Sequence, residues 1–160
     1  MHYPQLQATS EGEFIVGQRI DQFSEAIRSK LTSIDTAYDA LHAKIGGRAH
    51  DAQAAIRDRL ENVQKRIEQD REKVSAAKAE AKDWLEVRKS VTAERIAQWK
   101  AERATHKLQH QADTAERYAE DAVCVALAAI DEAEQAALEA WLARHEADAA
   151  LEKDAAHAAS

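Results

Sequence analysis

Between Ala112 and Ala150, alternating steps of three and four residues land on alanine every time: 112, 115, 119, 122, 126, 129, 133, 136, 140, 143, 147 and 150. Only Ala128, Ala137 and Ala149 in that stretch fall off the ladder. A period of 3.5 is the seam period of a coiled coil, and alanine on a seam lets a second helix backbone approach more closely than leucine does. The ladder predicts a chain built to pack helix against helix. Its seam is expected through Ala115, Ala119, Ala122, Ala126, Ala129, Ala133, Ala136 and Ala140.

The rest of the chain has little chemistry for anything but helix. Four glycines and one proline, Pro4, are all it has, so the 113 residues from Arg48 to Ser160 lack a strong helix breaker. A sheet protein needs turns that these residues do not supply. With 5% aromatic and 32% charged residues, the composition is that of long helices rather than of a mixed globule. The expected fold is all-α, an elongated antiparallel helical bundle or coiled coil with one very long, alanine-seamed C-terminal helix.

Met1 to Thr9 lacks periodicity and reads as a flexible tail. Ser10 precedes Glu13 by three positions, the spacing of a capping box. The helix that follows carries Ile20, Ser24, Ile27, Leu31, Ile34, Tyr38, Leu41 and Ile45 at steps of four and three, a conventional seam of bulky side chains. Gly46-Gly47 follows directly and predicts a hairpin, with Asp51 as the next cap. A second helix, 51–89, has Ile56, Leu60, Val63 and Ile67 on one face, is interrupted by Asp70, and resumes with Val74, Ala77, Ala81 and Trp84. The weak helix formers Ser90, Val91 and Thr92 mark a second reversal. A third helix is then expected to run unbroken over 92–150. One extra residue at the 104–108–112 steps reads as a stutter that unwinds the supercoil without ending it. Residues 10–150 would form one domain and 151–160 a frayed tail.

Beside the ladder runs a stripe of larger residues, Val123, Leu127, Ile130, Leu138 and Trp141, about 100° around the helix at ~100° per residue. A helix with two apolar faces needs two neighbours, hence three helices in cross-section and an expectation of homo-oligomers.

Net charge is −7 but unevenly placed. Residues 1–47 carry 4 basic and 6 acidic side chains, residues 48–111 carry 15 and 11, and residues 112–160 carry 3 and 12. A basic middle and an acidic end predict that these two segments lie side by side. The middle segment is mixed in sign and has no dense cationic cluster, so nucleic acid is not expected as a partner. No apolar run approaches the ~20 residues that cross a bilayer, so no transmembrane segment is expected. With no basic-then-apolar signal pattern at residues 1–13 and a single cysteine, Cys124, the expected location is the cytoplasm.

Candidate chemistry is sparse. Glu102, His106 and His110 stand four apart, so on one helix face they would offer an oxygen and two imidazole nitrogens to a divalent metal. The remaining histidines share no face. Carboxylate pairs such as Asp131 with Glu132 need a pocket that separates their pKa values, and an acidic face in water supplies none. Nucleophile, phosphate-loop and paired-cysteine motifs are absent, so no catalytic residue and no cofactor are expected. Trp84, Trp99 and Trp141 lie where seams shift or end. Trp99, in polar surroundings, is a candidate anchor for a protein partner. The expected function is that of a non-enzymatic helical scaffold, spacer or adaptor acting through self-association and protein contacts. Two alternatives are a divalent-metal-binding bundle using His106 and His110, and an amphipathic coat for lipid or storage granules.

Overall fold

In a computed structural model, which describes residues 10–45 and 49–159, the chain forms four helices in the order α1 (Ser10–Ile45), α2 (Ala49–Ser90), α3 (Ala93–Ala101) and α4 (Thr105–Ala158). Among the described residues there is no strand, and the fold is an all-α helical bundle. The expected tail at 1–9 and the Gly46-Gly47 reversal lie outside the described residues, as do the side chains of Ile20 and Ile45.

Ion pairs report the direction of each helix. Arg19 meets Glu116 and Lys30 meets Asp131, so α1 and α4 run parallel. Arg57 meets Glu146, Arg66 meets Asp131, and Trp84 stacks on Tyr118, so α2 runs antiparallel to both. The basic middle of the chain thus lies along its acidic end. In cross-section α1, α2 and α4 form three columns, with α4, at 54 residues and about 80 Å, as the longest.

The ladder does not make the internal seam. Ala126, Ala129, Ala133, Ala136 and Ala140 are exposed, as is Ala115, whereas Ala119 and Ala122 are half-buried. The inward face of α4 is the stripe of larger residues: Leu138 is buried, and Val123, Leu127, Ile130 and Trp141 are partly buried. Burying a leucine stabilises by roughly 1.5–3 kcal/mol, far more than burying an alanine methyl. Given two stripes and limited neighbours, α4 turns the bulkier one inward. The core cluster is small, with Leu41, Ile56, Val63 and Leu138 at its centre and Leu60, Ile67, Trp141 and Leu142 around it.

In α1 the inward face is also rotated from the expected seam. Leu41 is buried and Ile34 half-buried, but Ile27, Leu31 and Tyr38 remain 36%, 52% and 37% exposed. Phe23, Ala26, Lys30 and Ala37 take the inward positions instead. This rotation brings Arg19 and Lys30 onto the carboxylates of α4.

The third helix is broken where continuity was expected. Thr92 caps α3, its side chain accepting from the Arg95 N–H. Beyond Ala101, Arg103 adopts φ 55°, the Ala104 N–H donates to the Trp99 carbonyl at 2.8 Å, and the Arg103 N–H donates to that of Lys100. That pair of bonds is a Schellman ending with arginine in the place usually held by glycine, at a cost of roughly 1–2 kcal/mol for the left-handed backbone. The extra residue at 104–108–112 is therefore a helix break rather than a stutter. At the far end, residues 151–158 are helical rather than frayed.

Ile56 is 2% exposed and Leu31 is 52% exposed, so their truncations should diverge. Ile56→Ala is expected to lower unfolding free energy in urea by about 2–5 kcal/mol and Leu31→Ala by less than about 1 kcal/mol. Equal losses would contradict the placement of the core.

Candidate interaction surfaces

The inside of the bundle holds one feature that sequence reasoning missed. Asp131 and Glu134 are only 4% and 5% exposed. Lys30 Nζ donates to Asp131 Oδ1 at 2.5 Å, Arg66 Nη2 donates to the same oxygen at 2.9 Å and to Glu134 Oε2 at 3.2 Å, and Arg59 Nε donates to Glu134 Oε1 at 2.6 Å. Three cations from α1 and α2 thus enclose two carboxylates from α4. The acidic face of α4 is not wholly in water, as its composition implied, but contributes a buried charged layer. The signal was present: Asp131 and Glu134 sit three apart on the face that also carries Leu127, Leu138 and Trp141. Nearby, the Tyr38 hydroxyl is pushed up by burial and by Glu134, with Arg59 opposing. Two open clefts reach this layer, both touching Asp131 and one of them also Lys30. Where Asp70 interrupts the α2 stripe, shallow clefts of about 260 and 350 Å³ open on either side of it.

Toward the other end, Asp121 faces Glu80. Burial pushes the Asp121 carboxyl above its ordinary value, and the charge and hydrogen bonding of Glu80 add to this. Trp84 stacks on Tyr118 with ring centroids 3.9 Å apart, and the Arg88 guanidinium lies 5.3 Å from the Trp84 ring centre.

The metal trio is not assembled. Glu102 caps α3 and accepts from Gln98 Nε2 at 2.9 Å, while His106 and His110 lie beyond the break on α4, both exposed. The reversal at Arg103 removes Glu102 from their helix, and no three His, Cys, Asp or Glu side chains among the described residues converge to hold a metal ion.

Trp99 has mixed surroundings, with apolar side chains on one side and Arg88, Lys107, His110 and Gln111 on the other. It is half-buried with Trp84, Val91 and Ile96, beside the exposed Val87, in a groove of about 320 Å³ between the end of α2, α3 and the start of α4, and Lys107 Nζ lies 6.0 Å from its ring centre. Cys124 is a free thiol, half-buried beside Leu127. Among the described residues, two apolar surfaces stand largely uncovered. One is the outward alanine face of α4, and the other is the exposed strip of Ile27, Leu31 and Tyr38 on α1. No described helix is long and apolar enough to cross a membrane.

Comparison with known proteins adds no assignment: no family model, no curated protein and no solved structure matches this chain.

One outcome tests the charged layer and another tests Asp121. Asp131→Asn leaves Lys30 and Arg66 facing a neutral group in a buried site and should cost about 3–5 kcal/mol by chemical denaturation, while the exposed Glu139→Gln should cost less than about 0.5 kcal/mol. Because the folded state holds the Asp121 proton more tightly than the unfolded chain, its penalty is absent below the ordinary value of 3.8 and develops as pH rises through the raised folded value. Asp121→Asn should therefore raise the melting temperature at pH 7 and change it little near pH 3; the opposite ordering would contradict the burial assigned to this carboxyl.

Proposed function

We propose that this protein is a non-enzymatic helical scaffold that works in the cytoplasm by self-association and by holding protein partners along its length. The observation that carries this reading is the outward face of α4. Alanines at 126, 129, 133, 136, 140 and 143 stay exposed on the side opposite Asp131 and Leu138. A face of small residues at a 3.5-residue period suits the close approach of another helix. Its opposite face is clamped to α1 and α2 by ion pairs and by Leu138, so it is presented as a stiff rod. That rigidity lowers the ordering cost of an association.

Scaffolding fits what the interior lacks. Its charged groups are spent on joining helices, and the clefts beside Asp70 are open and shallow. A bundle of this length offers distance and surface. The exposed strip on α1 supplies a second face on the same rod, which suits an adaptor with more than one contact.

Sedimentation velocity tests the proposal directly. The chain should sediment as a homo-oligomer at micromolar concentration, and Ala133→Arg with Ala140→Arg should weaken that association at least about tenfold, a desolvated charge being far costlier than a methyl. Both positions are exposed in the single chain, so helicity by circular dichroism should persist. An unchanged sedimentation coefficient in the double variant would overturn the role given to the alanine face.

A further inference from the structure

Opposite ends of the bundle carry surfaces of opposite character. At one end is the groove floored by Trp84, Val91, Ile96 and Trp99, of about 320 Å³. Arg88 and Lys107 line it, the guanidinium 5.3 Å from the centre of the Trp84 ring and the ammonium 6.0 Å from that of Trp99. Each cation rests over an indole, and neither has a carboxylate partner among the described residues. An apolar socket flanked by two unpaired cations selects an apolar side chain flanked by anions.

Such a side chain stands at the other end. Arg57 pairs with Glu146, which places the first turns of α2 level with the 146–150 region of α4. From Leu151 to Ala158 the helix continues with every side chain exposed. Leu151, at 65%, is the most exposed large apolar side chain among the described residues. Asp148 and Asp154 lie three residues to either side of it, about 9 Å apart along the axis, and Asp148 makes only a loose, exposed ion pair with Arg144 at 3.9 Å that a stronger cation can replace.

We infer that Leu151 of one copy seats in the Trp84/Trp99 groove of the next, with Asp148 and Asp154 meeting Arg88 and Lys107, so that copies join end to end. The contact rests on the self-association proposed above but uses neither the alanine face nor the α1 strip. Because its two halves are different surfaces, it is heterologous and extends into a linear array unless the rotation between copies closes a ring. For a scaffold this sets a repeat close to the length of the bundle.

Sedimentation velocity of the full chain over a range of concentrations is the test. The weight-average sedimentation coefficient should climb with concentration, and climb less in 500 mM than in 50 mM salt as the charges are screened. Leu151→Asp, at a site exposed in the single chain, should reduce the association constant at least about tenfold, the loss expected for one buried leucine contact. In the Ala133→Arg, Ala140→Arg background, where the lateral contact is removed, Arg88→Glu with Lys107→Glu should block growth, as should Asp148→Lys with Asp154→Lys. Mixing these two double variants should restore it, since each groove then faces a tail of opposite charge. Growth in that background that survives Leu151→Asp, or a mixture that stays unassembled while both variants keep native helicity, would overturn the inference. So would saturation of the groove by an unrelated acidic peptide without any loss of assembly. The Ala133→Arg, Ala140→Arg variant separates the two contacts: it should remove the lateral step and leave the Leu151-dependent one intact.

Discussion

Two carboxylates on α4 and three cations from its neighbours fix how these helices lie along one another. Long helices with mixed small and branched core residues slide easily, because a shift of seven residues returns each stripe to a similar partner. The layer of Lys30, Arg59, Arg66, Asp131 and Glu134 makes that shift expensive. Sliding α2 by seven residues in one direction carries Asp70 into the place of Val63, which is 0% exposed. Sliding it in the other carries Ala52 into the place of Arg59 and leaves Glu134 without that donor. Either error buries an unpaired carboxylate or strips a partner from one already buried, at a cost of several kcal/mol. The same pairs draw α1 around so that Arg19 and Lys30 point inward, which is why Ile27, Leu31 and Tyr38 stand partly in solvent.

The layer also divides the bundle. Between it and the α1–α2 end lie Leu41, Ile56, Leu138 and Trp141, a conventional apolar core. On its other side Asp70 opens clefts, and packing relies on Ala77, Val123 and the Trp84–Tyr118 stack. The half with less apolar burial is also the half in which α2 ends and the chain turns through α3. Fewer large side chains there leave room for a groove, and the indoles that line it are held by cations rather than by a closed core.

Much of the fold was legible because helix formation is written locally. The absence of glycine and proline after Gly47, the Ser90 to Thr92 interruption and the charge difference between segments each follow from residue chemistry over a few turns. The break at Arg103 was not legible, because a Schellman ending is usually announced by glycine and here an arginine takes the left-handed position. Choosing which of the two α4 stripes faces inward requires knowing how many neighbours compete for it, and sequence periodicity carries no such count. The candidate site suffered from the same limit. Four-residue spacing puts Glu102, His106 and His110 on one face only if the helix is continuous, and the break at Arg103 dissolves the trio. Trp99 appeared polar in sequence because several of its apolar neighbours come from outside its helix, Trp84 and Val87 from α2 and Val91 from the link that follows it.

An exposed alanine face has a second physical explanation, since alanine is the best helix former and an 80 Å helix benefits from it at every solvent position. Propensity alone, however, is indifferent to azimuth. It favours alanine at any exposed site, so helix stabilisation would scatter alanine over the whole outward half of α4. Of the fifteen alanines between 112 and 150, twelve fall on one 3.5-residue ladder and three elsewhere, while neighbouring exposed positions carry Glu132, Glu139, Arg144 and Glu146. Glutamate and arginine are themselves good helix formers, second only by a small margin, so the chain had nearly as helical choices for the ladder positions and did not use them. What distinguishes alanine from those residues, beyond its small advantage in propensity, is the absence of bulk and charge. That property matters on a helix surface when another backbone comes close, which is the use the proposed self-association would make of the ladder.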